Sequence, residues 1–260
     1  MTDQPREAPE QSEAAAITFE LVTLFPEIFD GLLGASLLGK AIAGGLIAAH
    51  RTNPRDFAPG RHRQVDDAPY GGGPGMIMRV EPIAAALEAI DAARGPSHRV
   101  LLTPQGRPFD QQRARELSRH ARLTLVCGRY EGFDERIGAH LCHEQLSIGD
   151  YVLAGGELAA AVVVEAVARL IPGMLGCGLS AEDESFSEGR LEYPQWTRPP
   201  TWNGHAVPEV LSSGDHAVIA RWRRREALRR TLERRPDLVE RHPLTPEERA
   251  LLDREDLSKP

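Results

Sequence analysis

Hydrophobic and polar positions alternate along the chain between two kinds of segment, short apolar runs and longer amphipathic stretches. The short runs are rich in leucine and β-branched residues, and they predict strands at residues 17–24, 99–104 and 122–128. The longer stretches repeat apolar positions at helical spacing and predict helices at residues 81–93, 111–119 and 157–170. Strands that alternate with helices in this way are typical of an α/β domain with a parallel sheet.

Breaks in the same pattern divide the chain into four parts. A Pro-Gly pair ends the last long helix, and the small, polar and acidic residues after it predict a flexible linker over residues 176–189. Arginine-rich, mostly helical sequence then predicts a small helical domain over residues 190–260. The α/β domain therefore covers residues 16–175, and the polar, acidic residues 1–15 are expected to form a disordered tail.

Composition narrows the class of protein. A content of 41% hydrophobic and 27% charged residues is ordinary for a core-forming chain and excludes disorder throughout. The scattered cysteines Cys127, Cys142 and Cys177 do not make a disulfide framework, which favours a reducing compartment. No apolar run has membrane-spanning length, and the first residues lack a signal peptide's basic start and apolar middle. We therefore expect a cytoplasmic protein.

Charge is distributed unevenly along the chain. The net charge is −7, yet residues 221–235 contain eight arginines against two glutamates. The pattern predicts a helix on which Trp222, Leu228 and Leu232 face a core. A basic surface of this kind either binds nucleic-acid phosphates or is simply a solvated helix face.

Three familiar ligand motifs are missing or incomplete in the sequence. Residues 34–41, GASLLGKA, follow the phosphate-loop pattern until Ala41, which has no hydroxyl to bind magnesium. His140, Cys142 and His143 have no second ligand pair at zinc-site spacing, so no metal site is predicted. No G-x-G-x-x-G follows a strand, which excludes the usual fingerprint of a dinucleotide site.

Glycine is instead concentrated in three loops. These are YGGGPGM at residues 70–76, CGRYEGFDER at residues 127–136 and SIGDYVLAGGE at residues 147–157. The last two follow strand-like runs and precede helices, so they lie at the carboxyl ends of strands, where open α/β sheets bind ligands. Glycine there lets backbone groups approach a flat ligand, although tight turns with unusual dihedral angles would require it as well.

Five segments taken together resemble a known family. CGRYEGFDER and SIGDYVLAGGE occur with VDDAPYGGGPGM, LTPQGR and RLIPGMLG, in an order and spacing that closely resemble the TrmD family of bacterial tRNA (guanine-N1)-methyltransferases. The resemblance runs from about residue 17 to residue 240. It implies a SPOUT-class methyltransferase domain with a trefoil knot and S-adenosylmethionine as the methyl donor. It also implies methylation of guanine 37 of tRNA, just 3′ of the anticodon, which maintains the reading frame.

The resemblance places the methyl donor on backbone groups of three loops. In this chain the corresponding residues are Leu102, Thr103, Pro104, Gly128, Tyr130, Glu131, Gly132, Ile148, Gly149, Asp150, Tyr151, Val152, Leu153, Gly155 and Gly156. Ile148, Tyr151 and Leu153 would supply apolar walls for an adenine ring. Glu131 and Asp150 would bring acidic groups near the sulfonium, or would instead cap a helix or brace a loop.

The implied reaction requires two further groups. Guanine N1 carries a proton at neutral pH, so its methylation needs a base for N1–H and a positive group near O6. The resemblance assigns the second role to Arg169, whose alternative is to stabilise the dipole at a helix C-terminus. It places the base in the linker, where Glu184 replaces the family's aspartate before Ser-Phe and Asp183 stands beside it. We favour Glu184, although both carboxylates have similar reference pKa values.

The resemblance also implies partners. It predicts a homodimer with active sites at the subunit boundary and a C-terminal domain that binds the anticodon arm of tRNA. Candidate RNA-binding residues are Arg221, Arg223, Arg224, Arg225, Arg229 and Arg230. The tryptophans that could stack on unpaired bases are Trp196, Trp202 and Trp222. Magnesium is an expected cofactor whose site the sequence does not indicate, and no membrane partner is expected.

Three other classes of protein have to be distinguished from this one. A nucleotide-binding reductase would bind NADH, and a non-catalytic RNA-binding protein would not bind S-adenosylmethionine, so titrations with these two ligands separate them. A ribose 2′-O-methyltransferase would have little use for a linker carboxylate paired with Arg169.

Overall fold

The computed structural model describes residues 15–175 and 184–254, and the chain divides into two compact units, Met1–Gly176 and Cys177–Pro260. The strands of the first unit are β1 (Ile17–Val22), β2 (Ile47–Thr52), β3 (Asp66–Asp67), β4 (Ile77–Met78), β5 (His98–Pro108), β6 (Arg122–Cys127) and β7 (Glu144–Ser147). Its helices are α1 (Asp30–Gly34), α2 (Ser36–Ala43), α3 (Val80–Arg94), α4 (Gln111–Leu117) and α5 (Glu157–Ala168). Short 3₁₀ turns lie at Pro26–Phe29 and Pro54–Phe57, and a π-helix lies at Ile137–Leu141.

Five of these strands form one sheet in the order β2-β1-β6-β5-β7. Every neighbouring pair in it is parallel, while β3 and β4 form a small antiparallel pair. The central strand β6 is buried from Leu123 to Cys127, and apart from Thr124 these residues are apolar, as expected for a strand covered on both faces. The predicted α/β fold with a parallel sheet is confirmed.

Side chains that alternate along β6 enter two separate cores. Leu123 and Leu125 pack with Val163 and Val164 of α5 on one face of the sheet. Val126 packs on the other face, where Ile83 of α3 is also buried. Because successive strand residues point to opposite faces, one apolar strand holds helices on both sides of the sheet. The carboxyl ends of β5, β6 and β7 therefore open at one edge of a rigid, three-layered body.

The second unit begins its described part at Glu184. It contains a short antiparallel hairpin of β8 (Thr201–Trp202) and β9 (His205–Ala206), followed by a 3₁₀ turn at Glu209–Ser212. Three helices follow, α6 (His216–Arg234), α7 (Pro236–Arg241) and α8 (Pro246–Asp253). Asp215 caps α6 by accepting hydrogen bonds from the Ala217 and Val218 amides, as a side-chain oxygen at an N-cap should.

The predicted core face of α6 needs one correction. Leu228 is fully buried and Trp222 is half-buried, but Leu232 is 41% exposed. The buried stripe of the helix runs through Ala227, Leu228 and Thr231. Leu232 lies roughly 90° around the helix from the middle of that stripe, so it falls at the margin of the packed face.

Residues 184–189, predicted as part of the linker, form a turn that is held to the rest of the second unit. The Phe186 amide donates to the Arg190 carbonyl at 2.7 Å, and the Ser187 hydroxyl donates to the Glu184 carbonyl at 2.7 Å. Arg190 in turn donates to the buried carboxylate of Glu248 at 2.9 Å. The remainder of the predicted linker, residues 176–183, lies outside the described residues, as does most of the predicted tail.

Glu248 is the electrostatic centre of this unit. Its carboxylate accepts from Arg190 at 2.9 Å, from Arg224 at 2.8 Å and from the Thr245 amide at 3.0 Å. The Thr245 hydroxyl accepts from the Glu248 amide in return, which completes a capping box on α8. Burial alone would raise the pKa of Glu248, but the hydrogen bonds from Arg190 and Thr245 outweigh it and hold the pKa below its usual value.

Candidate active site

A cavity of about 270 Å³ lies at the carboxyl ends of β5, β6 and β7 in the first unit. Three loops meet there, because the carboxyl ends of neighbouring parallel strands open at the same edge of a sheet. Fourteen of the fifteen residues predicted to hold the donor line this cavity, and they are Leu102, Thr103, Pro104, Gly128, Tyr130, Glu131, Gly132, Ile148, Gly149, Tyr151, Val152, Leu153, Gly155 and Gly156.

The first loop is an excursion within β5. Leu102 and Arg107 of β5 both pair with Leu146 of β7, so the four residues between them leave the ladder. Thr103 and Pro104 lie in this bulge and line the cavity, and the Thr103 hydroxyl accepts from the Gln105 amide at 3.3 Å. A bulge at the end of a strand exposes backbone amide and carbonyl groups that a bound ligand can use.

The second loop follows β6 and is tied to the glycine-rich loop at residues 70–76. The Glu131 amide donates to the Met76 carbonyl at 3.0 Å, and the Met78 amide donates to the Gly132 carbonyl at 2.9 Å. The Glu131 side chain packs on this neighbour, since a Cβ added at Gly75 would lie 2.5 Å from its Oε1. These contacts favour a bracing role for Glu131 over direct pairing with the donor.

The third loop follows β7 and returns to the second. The Gly156 amide donates to the Gly128 carbonyl at 2.9 Å. A Cβ added at Gly156 would lie 2.8 Å from the Gly128 nitrogen and 2.9 Å from Cys127 Cα, so only glycine permits this approach of two backbones. The close contact between the second and third loops therefore requires glycine at position 156 of SIGDYVLAGGE.

Asp150 is the predicted donor residue that does not line the cavity. The Tyr151 amide donates to the Gly149 carbonyl at 2.9 Å, which makes Asp150 the tip of a three-residue turn. Its side chain is exposed at that tip. Asp150 therefore lies outside the lining of the cavity, and its contact to the donor stays a prediction.

A buried ion pair that was not predicted from the sequence lies beside the cavity. Glu157, the first residue of α5, is 1% exposed and accepts from the Thr23 hydroxyl at 2.7 Å. Arg129 lies in the cavity wall and reaches Glu157 with its Nε at 3.2 Å and its terminal nitrogen at 2.9 Å. The guanidinium also lies over the ring of Phe25 at 4.4 Å.

This network joins the carboxyl end of β1 to the second and third loops. Arg129 follows Gly128 in the second loop, and it also donates to the Ala154 carbonyl in the third at 3.4 Å. Burial and the Glu157 charge raise the pKa of Cys127 well above its usual value, so that thiol stays neutral. The sequence signal for this ion pair was Glu157, a carboxylate at the first position of an otherwise apolar helix.

The predicted catalytic residues lie in different units. Arg169 caps the C-terminus of α5, where its amide donates to the Glu165 carbonyl at 3.2 Å, and its side chain is half-buried. Glu184 lies in the turn at the start of the described second unit. Asp183 lies outside the described residues. Both roles considered for Arg169 remain open, since its position satisfies the dipole argument without excluding a contact to substrate.

The predicted RNA-binding arginines of α6 fall into two groups. Arg224 is paired with Glu188 and Glu248, and Arg225 donates to the Arg254 carbonyl at 3.0 Å with only 13% of its side chain exposed. These two side chains hold the unit together. Arg223 and Arg229 are exposed, while Arg221 and Arg230 are half-buried.

The described residues carry three further findings, on metal ligands, on the phosphate-loop motif and on membrane spans. They contain no group of three or more histidine, cysteine or acidic side chains that could hold a metal ion. Residues 36–41 of the incomplete phosphate-loop motif lie in α2 and are therefore not an anion-binding loop. No helix in this part of the chain is both long and apolar enough to cross a membrane.

The protein is of the open α/β class, in which ligands bind at the carboxyl ends of the parallel strands. Its cavity lies at the ends of three adjacent strands and is lined by backbone groups, as in the active sites of many α/β enzymes. The family model described as tRNA (Guanine-1)-methyltransferase TrmD matches residues 17–241, and the chain belongs to that family. The resemblance carried by the five sequence segments is thereby confirmed.

Individual relatives are similar over almost their whole length. The chain is 59% identical to a tRNA (guanine-N(1)-)-methyltransferase of Myxococcus xanthus (strain DK1622) over 237 residues, which cover 90% of this chain and 95% of the relative. It is 52% identical to a protein of that name from Dehalococcoides mccartyi (strain CBDB1), with the same coverage. It is 53% identical to another from Synechococcus sp. (strain JA-3-3Ab), over 90% of this chain and 92% of the relative.

Proposed function

We propose that this chain transfers a methyl group from S-adenosylmethionine to N1 of guanine 37 in tRNA. The observation that carries the proposal is the cavity at the ends of β5, β6 and β7, lined by the loops whose sequences define the family. Its walls combine apolar side chains with exposed backbone, which suits a ligand with a flat, hydrogen-bonding ring.

The cavity fits the donor that the family implies. Ile148, Tyr151 and Leu153 offer apolar surface, and the bulge of β5 offers amide and carbonyl groups to an adenine edge. Glu135 brings an acidic side chain to the lining, where a cationic sulfonium is favoured over a neutral group, while Glu131 braces the second loop. When bound, S-adenosylmethionine supplies an electrophilic methyl group, and the protein's task is to orient it and prepare the guanine.

The protein's own groups then act on the guanine. Glu184, or Asp183 in its place, accepts the proton from N1, so that the electron pair released on N1 forms the new N–C bond. Arg169 lies near O6 and stabilises the negative charge that develops on the ring. The proton ends on the carboxylate, and the neutral thioether of the spent donor is the leaving group.

The second unit is proposed to bind the anticodon arm. Arg223 and Arg229 present exposed cations on α6, and Trp196 and Trp202 are 46% and 66% exposed on the preceding segment. Cations for phosphates and exposed rings for unpaired bases are the groups that single-stranded regions of RNA require.

We further propose a homodimer and a trefoil knot, as the family resemblance implies. An apolar surface supports the first, because Leu158 and Val162 on the outer face of α5 are 60% and 45% exposed and Val152 nearby in sequence is 85% exposed. A second copy of the chain is the occupant proposed for that surface. The knot rests on the family resemblance, and the hydrogen bond from Gly156 to Gly128 joins two of the loops that would form it. Magnesium dependence and a cytoplasmic location remain expectations.

Methyl transfer from labelled donor to a tRNA transcript tests this proposal. Label should enter a transcript with guanine at position 37 and should not enter an otherwise identical transcript with adenine there. Equal labelling of both transcripts, or none of either, would contradict the proposed substrate. Titration of the protein with the donor in the same buffer separates a failure to bind the donor from a failure to use the RNA.

A further inference from the structure

The second unit has a cavity of its own, of about 260 Å³. It lies between residues 184–193 and the part of α6 from Ala220 to Ala227. Its volume is close to that of the cavity in the first unit, so it has room for a nucleobase. Glu184, the favoured base for the reaction, lines the same cavity.

Two of its lining residues form a cation–π contact. The guanidinium carbon of Arg223 lies 4.7 Å from the centroid of the Tyr193 ring. Arg223 is exposed, and it has no carboxylate partner among the described residues, unlike Arg190 and Arg224 in the same lining. A guanidinium already stacked on an aromatic ring is a preorganised surface for a further flat ring.

A hydrogen-bond acceptor lies beside this stack. Glu192 also lines the cavity, and its carboxylate has no hydrogen-bond or ion-pair partner within residues 15–175 and 184–254. Its backbone is fixed, since the Glu192 amide donates to the Ser185 hydroxyl at 3.1 Å. An ionised carboxylate only accepts hydrogen bonds, so it fits the N–H groups on the edge of a base.

The frame around these groups is rigid. Arg224 and Arg190 are both held by Glu248, and Glu188 pairs with Arg224. Arg190, Arg224 and Glu188 of the lining are therefore paired within the protein, while Arg223 and Glu192, beside the proposed base Glu184, are able to contact a ligand.

We propose that this cavity binds an unpaired base of the tRNA that neighbours the reacting guanine. Arg223 and Tyr193 stack on the base, and Glu192 accepts an N–H group from its edge. The inference rests on the proposed function, because the neighbouring base reaches this cavity only when the guanine is presented to Glu184. It gives the second unit a role in selecting the RNA beyond contacts to phosphate.

A double-mutant cycle between protein and RNA tests the proposal. Arg223→Lys keeps the charge but removes the planar group, and Arg241→Lys makes the same exchange on α7, away from the cavity lining. Each variant is titrated with intact tRNA and with tRNAs that lack the base on the 5′ or the 3′ side of the reacting guanine. We expect Arg223→Lys to weaken binding of intact tRNA about tenfold, the scale of losing one stacked base.

Arg223→Lys and the wild type should bind one of the two abasic tRNAs with nearly the same affinity. The base missing from that tRNA is the one that the cavity binds. Glu192→Gln should couple to the same abasic position, while Arg241→Lys should couple to neither. If Arg223→Lys weakens binding of intact tRNA and of both abasic tRNAs by the same factor, the proposal is overturned. Wild-type methylation of intact tRNA is measured in parallel, so loss of the proposed function itself is recognised separately.

Discussion

An alanine at Gly155 probes the frame of the donor cavity most sharply. Its Cβ would overlap Arg129 Nε and lie 2.5 Å from Glu157 Oε2, inside the buried ion pair. Contacts shorter than about 3 Å are repulsive for a carbon atom, so either the ion pair opens or the third loop moves. The substitution thus tests whether this pair fixes the wall of the cavity.

The size of the effect follows from the burial of the two partners. Glu157 is 1% exposed, and the loss of one partner of a buried pair costs about 3–5 kcal/mol. The Arg129 side chain is 21% exposed and can regain some hydration, so we expect a loss of about 2 kcal/mol in unfolding free energy. Donor affinity should fall at least tenfold, or about 1.4 kcal/mol, because the displaced loop forms the cavity wall.

Isothermal titration with S-adenosylmethionine and urea denaturation measure the two effects. Gly31→Ala is the matched control, because a Cβ there meets nothing within 4 Å and alanine favours the helix by up to about 1 kcal/mol. In an Arg129→Ala background the overlap with Arg129 is removed and only the contact to Glu157 remains, so Gly155→Ala should cost less than in the wild type. Wild-type donor affinity in Gly155→Ala, with stability also unchanged, would refute the assignment of the ion pair to this role.

Four further outcomes are expected. Glu184→Gln should lower the single-turnover methylation rate about 100-fold with donor and tRNA binding retained, and Asp183→Asn should cost little; the reverse order would move the base to Asp183. Mixed Arg169→Ala and Glu184→Gln chains should recover activity when subunits exchange, and no recovery would argue that both groups act within one chain. Leu158→Glu should convert a dimer to monomer in light scattering, and a persistent dimer would reject the α5 surface. Glu248→Gln should destabilise the second unit by about 2 kcal/mol near neutral pH, as measured by urea denaturation. The pKa of Glu248 is lowered in the folded protein, so its contribution to the unfolding free energy is present above the ordinary glutamate pKa of about 4.3 and is lost as the pH falls through the folded pKa. A difference in stability between the wild type and Glu248→Gln that persists in acid would contradict this.

The fold could be predicted wherever apolar residues were continuous along the chain. The runs at β1 and β6 and the helix at α5 carry their own burial pattern, so their positions follow from sequence. Strand β2, with the sequence IAAHRT, was missed because it lies at the edge of the sheet and is only partly buried. The bulge within β5 was missed because Pro104 and Gly106 look like the end of a strand.

The candidate site also has features that the sequence predicts and features that only the tertiary structure reveals. Glycine loops at strand ends marked the donor cavity, but the pair of Arg129 and Glu157 joins residues 28 positions apart and depends on how the sheet brings them together. The contacts of Arg224 and Arg225 likewise depend on α8, so the sequence alone did not separate structural from RNA-facing arginines. Local pattern predicts loops and faces, whereas pairing between distant charges needs the tertiary structure.

Nucleoside mass spectrometry of tRNA after incubation with the protein and S-adenosylmethionine identifies the methylated position. We expect one new product, 1-methylguanosine, which arises from the guanine 3′ of the anticodon and disappears when Arg169 or Glu184 is replaced. Methylation of a ribose hydroxyl or of another base, or tRNA returned unmodified by a protein that binds the donor, would be incompatible with the proposed reaction.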